Sequence, residues 1–171
     1  PDQEINGGPV TRKRFILSTL IGWALFLGID FFFHASLLEE LWRVESEAIK
    51  PQLDLFVLIP AGYASFFLLT ALLGYVYHRV YPEKPERREA LKFGLIVSSL
   101  YAIGNFLALY SYVNLPLVNL AVNHAVLFVE CFSVVVAYYY TLHAEGLKRQ
   151  AWVSLLICLS LFMAGILLQN L

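Results

Sequence analysis

Two residues able to move a proton or hold a cation, Asp30 and His34, stand four apart in the run FLGIDFFFH (26–34), surrounded by Phe, Leu, Ile and Gly. On a helix that spacing places them one turn apart on one face. They are then close enough to hydrogen-bond, to act as an acid–base pair on a lipid or isoprenoid, or to give two ligands to one ion. Further along the chain, Tyr101 and Asn105 recur at the same spacing, and Asn119, Asn123 and Glu130 follow within another apolar run. An acid in such a setting costs a few kcal/mol even on the mildest insertion scale, so it is expected to face other helices or a wet cavity.

The elements that must position these groups are membrane helices. The chain has 171 residues, 59% apolar and only 15% charged, with mean hydropathy +0.67. A soluble domain carries about a quarter charged residues. A net charge of −1 with no basic face excludes a phosphate-tracking nucleic-acid binder. Five runs reach the roughly 20 residues needed to cross a hydrocarbon core: about 15–38, 55–77, 93–113, 115–142 and 151–168. Backbone groups in lipid must be satisfied within the segment, so all five are expected to be helices. The expected fold is an all-α integral membrane protein, a five-helix bundle forming one domain over 15–171, after a tail at 1–14. The first run is read as a retained span and not a signal peptide, because it is too long and lacks a small-x-small cleavage site.

The connections carry the charge. YPEKPERRE (81–89) and HAEGLKRQ (143–150) read as polar loops, NLP (114–116) as a tight turn, and 39–52 as an amphipathic segment lying at the interface. Of the 12 Lys and Arg, only Arg43 and Lys50 fall outside in a five-span arrangement. The positive-inside rule then puts the N-terminus in the cytoplasm and the C-terminus outside, and the expected location is a bacterial inner membrane. Trp42, Tyr110 and Tyr112 fit an outer aromatic belt, and Tyr75, Tyr77, Tyr138, Tyr139, Tyr140 and Trp152 an inner one. Cys131 and Cys158, both in apolar runs, read as buried free thiols. Small residues four apart (Ala61/Ser65, Thr70/Gly74, Gly94/Ser98, Gly104/Ala108) read as packing faces.

At about 100° per residue, Trp23, Asp30 and His34 share one stripe of the first span. Ser98, Tyr101 and Asn105 share one on the third, and Asn119, Asn123 and Glu130 one on the fourth. The three stripes are expected to face one another. At 1.5 Å per residue, Asp30 lies about 22 Å, and Asn105 about 18 Å, from the inner boundary. The expected cluster therefore opens outward: Asp30, His34, Tyr101, Asn105 and Asn123, with Glu130 at its floor. It holds a ligand or ion, or it joins helices by hydrogen bonds.

Three short stretches, FLGIDFFFH, LYAIGNFLAL and LAVNHAVLFV, together resemble the pattern of a family of small bacterial membrane proteins of unknown function. In that pattern an apolar helix ends in an aspartate, a later helix carries Tyr-x-x-x-Asn, and an aspartate opens the next. Asp30, Tyr101 and Asn105 match it. Asn123 stands where the last aspartate would be, and Ala102 where the family tends to have an acid. The resemblance covers roughly 15–140 and implies a position for the cluster, not an activity.

Other chemistry has less support. His34 and His124 come near one depth and could ligate haem iron. The 19 residues from His124 to His143 span about 28 Å and differ by about 100° in direction, which speaks against two haems on that helix. For Asp30 and His34 a plain hydrogen bond is expected ahead of a metal, and no cofactor is assigned. No nucleophile elbow, P-loop or CxxC is present. The leading expectation is an accessory subunit, packed by its apolar aromatic surface against partners in a membrane complex. The alternative is a binding or transport protein, or an intramembrane enzyme, that uses the polar cluster.

Overall fold

The computed structural model describes residues 10–42, 52–143 and 147–170. Every regular element within them is a helix. α1 (Arg12–Phe32) runs into a π-helical turn (Phe33–Leu37) and then a single turn, α2 (Glu39–Trp42). α3 (Gln52–Val80), α4 (Arg87–Tyr112), α5 (Leu117–Thr141) and α6 (Leu147–Gln169) follow. Among the described residues, five helices are long and apolar enough to cross a membrane: Arg12–Leu37, Val57–Val80, Arg87–Tyr112, Leu117–Thr141 and Leu147–Gln169. The rest of the amphipathic segment expected at 39–52 and the middle of the loop at 143–150 lie outside the described residues.

Local sequence accounts for the helix ends. Thr11 caps α1, its hydroxyl accepting from the Arg14 amide at 3.3 Å. The helix thus starts inside the stretch expected as a tail. Pro116 stands immediately before α5, where its missing N–H costs nothing. Pro60 lies within α3, eight residues from its start, and forgoes one backbone hydrogen bond there.

α1 and α5 form the centre. α4 packs on α5, α6 packs on α1, and α3 leans against both central helices. The core is built around Tyr138, fully enclosed with Phe26, Tyr77, Cys131, Val134 and Val135. Its ring lies on Gly74, where an added Cβ would fall 2.2 Å from the Tyr138 ring and hydroxyl. The absence of a side chain at Gly74 is what admits the ring. The Tyr138 hydroxyl shares a hydrogen bond with Thr19 Oγ1 (2.8 Å) and donates to the Thr70 carbonyl (3.1 Å), tying α5 to α1 and α3. Tyr77 stacks on Tyr138 at 6.3 Å between centroids. These two tyrosines are core residues, which corrects their assignment to an inner aromatic belt. Tyr75, Tyr140 and Trp152 are exposed.

The α1–α6 contact is equally close. A Cβ on Gly28 would lie 3.1 Å from Cys158 Sγ, and one on Gly165 would meet Ser36 Oγ and the Phe31 ring. Phe31 stacks on Phe162 at 4.6 Å. Cys131 and Cys158 are both buried and free, as expected. Of the small-residue pairs, Thr70/Gly74 and Gly94/Ser98 are packing faces, Gly94 lying against Phe132 and Val135. Ala61/Ser65 and Gly104/Ala108 face outward, with nothing within 4 Å of a Cβ at Gly104.

Candidate functional site

Asp30 sits in the last turn of α1, and His34 in the π turn that follows. A π turn closes on the residue five back: the Leu38 amide donates to the Phe33 carbonyl at 2.8 Å. Such turns insert one residue into a helix and are frequent at functional sites. The wider loop is braced from α6. Gln169 donates its side-chain amide to the Ala35 carbonyl, and Ser36 contacts the Gly165 surface. Asn119 of α5 caps the Leu41 carbonyl just beyond.

In this frame His34 Nδ1 lies 2.8 Å from Asp30 Oδ1, and Nε2 lies 3.1 Å from the Asn123 side-chain oxygen. An imidazole donating through both nitrogens carries a positive charge. A neutral one would accept from the Asn123 amide turned about, since the two ends of that group are alike in outline. Glu130 completes the group. One donor atom each from Asp30, His34 and Glu130 all lie within 4.8 Å of one another. Glu130 is 2% exposed, and its Oε1, enclosed completely, has no hydrogen-bond partner among the described residues. The Asp30 and His34 side chains are 22% and 24% exposed. The site is closed at its glutamate and open at the other two.

The remaining candidates lie elsewhere. Asn105 faces His124, whose Nε2 is 3.0 Å from the Asn105 oxygen. His124 Nδ1–H donates to the Leu120 carbonyl at 2.6 Å, and Phe106 packs edge-on against the ring at 5.5 Å. This second pair belongs to the α4–α5 contact, beside a groove of about 350 Å³ between Ala102, Ile103 and Phe106 on α4 and Ala121 and Ala125 on α5. Tyr101 is 38% exposed. The three polar stripes therefore do not converge: the α5 stripe meets α1, and α4 is reached by His124, one residue off that stripe. His34 and His124 are turned to different helices, so they do not face each other as two haem ligands would. Trp23 is also drawn away, donating Nε1–H to the Tyr63 carbonyl of α3 at 3.0 Å.

Chemically, Asp30, His34 and Glu130 offer two carboxylates and an imidazole around one point, with the Asn123 carbonyl beside them. Mixed oxygen and nitrogen donors of this kind suit Mn²⁺, Fe²⁺ or Zn²⁺ better than Mg²⁺ or Ca²⁺. No family model, no curated protein and no solved structure matches this chain.

Proposed function

We propose that this chain is a small integral membrane protein that binds a divalent transition-metal ion within its bundle, through Asp30, His34 and Glu130. The observation that carries the reading is Glu130: an enclosed carboxylate oxygen without a partner among the described residues, a few ångströms from an aspartate and a histidine on another helix. A buried carboxylate oxygen without a partner is a large local cost, and a bound cation would remove it. Asn123 would hold the His34 ring in place, as supporting groups do at metal centres. The distribution of lysine and arginine supports an N-terminus in the cytoplasm and a C-terminus outside. With that orientation the site opens toward the outer face of what we take to be a bacterial inner membrane.

This reading departs from two expectations, that of an accessory subunit and that of an Asp–His hydrogen bond without metal. Lipid accounts for the exposed apolar faces of α3, α4 and α6 as well as a protein partner would. The hydrogen bond exists, but it leaves Glu130 unexplained.

The test is metal content. The protein, purified in mild detergent, stripped with chelator and reloaded with Mn²⁺, Fe²⁺ or Zn²⁺, should retain about one ion per chain by elemental analysis, and Glu130→Gln should retain none. Equal metal in both proteins would overturn the proposal. Larger subunits copurifying with metal-free protein would restore the accessory reading.

A further inference from the structure

Asp30 and Glu130 are carried by the two central helices, and His34 is not. It stands in the π turn beyond α1. The two carboxylates are placed by packing in the core. One turn before Asp30, Phe26 is fully enclosed, and one turn after Glu130, Val134 is as well. The imidazole is placed by whatever holds the turn.

The turn is held by α6, a helix that supplies none of the three metal-binding side chains. Cys158, Phe162, Gly165 and Gln169 recur at spacings of four, three and four, and so share one side of α6. That side runs along α1 and on past its end. Cys158 Sγ donates to the Ala24 carbonyl at 3.1 Å and lies against Gly28. Phe162 stacks on Phe31. Gly165 faces Ser36, and Gln169 donates to the Ala35 carbonyl. These last two contacts fall on the two residues that follow His34, and each depends on the residue present in α6. A Cβ at Gly165 would lie 2.6 Å from Ser36 Oγ and 2.9 Å from the Phe31 ring, so a larger residue must push the turn and α6 apart. Carbonyls at a helix end run short of donors along the chain, and Gln169 supplies one to Ala35.

We propose that Gly165 and Gln169 are positioning residues for the metal site: α6 holds the π turn where the His34 ring reaches the ion, and thereby decides which ion is preferred. The proposal rests on the metal-binding reading above. With the imidazole in place the site offers nitrogen as well as oxygen, which suits Zn²⁺. Without it the site falls back on two carboxylates, which suit Mn²⁺. Loosening the contact with α6 therefore costs Zn²⁺ affinity more than Mn²⁺ affinity, although no group that touches the ion has been changed.

The full chain in mild detergent is titrated with Zn²⁺ and with Mn²⁺ in competition with a fluorescent chelator, and bound Mn²⁺ is also read by pulsed EPR, in which a coordinated imidazole nitrogen modulates the echo. Gln169→Leu removes the donor at an exposed position and leaves the core intact. Its Zn²⁺ affinity should fall about tenfold, as when a group that orients a metal-binding side chain is lost, while Mn²⁺ affinity changes little and the nitrogen signal weakens. Gln169→Lys, which returns a donor to a carbonyl at a helix end, should recover both. Gly165→Ala, acting through Ser36 instead, should repeat the loss. If the unaltered chain binds both ions and shows the nitrogen signal, but Gln169→Leu and Gly165→Ala keep its preference for Zn²⁺, the proposal falls and metal binding stands. A parallel loss of both ions marks a general loosening of the fold and overturns the proposal too. An unaltered chain that takes up neither ion overturns it together with the metal-binding reading.

Discussion

Asn123 and His124 are adjacent on α5 and serve different helices. Asn123 meets His34 of the π turn after α1, and His124 meets Asn105 of α4. One step of about 100° around α5 divides the polar residues into two groups. The first has beside it Glu130, whose Oε1 has no partner among the described residues, and the second is closed by hydrogen bonds and an aromatic edge.

This division makes the two asparagines unequal. Asn123→Ala should weaken metal binding about 10–100-fold, the usual cost of losing a group that orients a ligand. Asn105→Ala should leave metal affinity unchanged. Competition with a fluorescent chelator measures both, and an equal loss in the two variants would remove Asn123 from the site.

Glu130→Leu should abolish metal binding and stabilise the metal-free protein. The change removes a buried oxygen that has no partner among the described residues, a penalty of about 1–3 kcal/mol. Melting in detergent with excess chelator should therefore move upward. A large fall instead would mean that the carboxylate holds the helices together.

Gly74→Ala should destabilise the protein by about 1–3 kcal/mol. The new methyl would meet Tyr138, fully enclosed and held by Thr19 and the Thr70 carbonyl. Gly104→Ala, with open space around it, is the control and should be neutral. Denaturant titration of both variants separates a local collision from a general intolerance of glycine replacement.

His143, beyond the end of α5, titrates below the ordinary histidine value because it is buried and because His78, Arg14 and Lys84 repel its charge. The folded protein then binds fewer protons than the unfolded one, so acid favours unfolding. This contribution to stability is whole above about pH 6.5 and is lost as pH falls below it. In phosphate-free buffer, melting should fall more steeply between about pH 7 and about pH 5.5 in the native chain than in His143→Gln.

Five apolar runs, each near the length of a bilayer core, made the helices legible, and the described residues form five helices of that kind. Periodicity also gave three of the helices a polar side. It could not show which neighbour that side meets. α5 lies against both α1 and α4, so its stripe satisfies one of them and a residue beside the stripe satisfies the other. Tyr77 and Tyr138 misled for a related reason. A tyrosine near a span end looks like a belt residue unless one knows that a facing helix leaves room for its ring, as Gly74 of α3 does for Tyr138. The π turn had no signature at all, since nothing in FHASL differs from an ordinary helical run.

Because the turn Phe33–Leu37 carries one residue more than an α-helical turn, the stretches before and after it are out of phase by about 100°. The inner stretch meets α3, α5 and α6, and the turn itself is fitted to α6 through Ala35 and Ser36. Deleting a single residue here would return the segment to α pitch and leave Arg12–Phe32 as it is, while swinging Ser36 off Gly165. For this span, gain or loss of one residue is a rotation, and it is the coarse adjustment by which the ring of His34 is aimed.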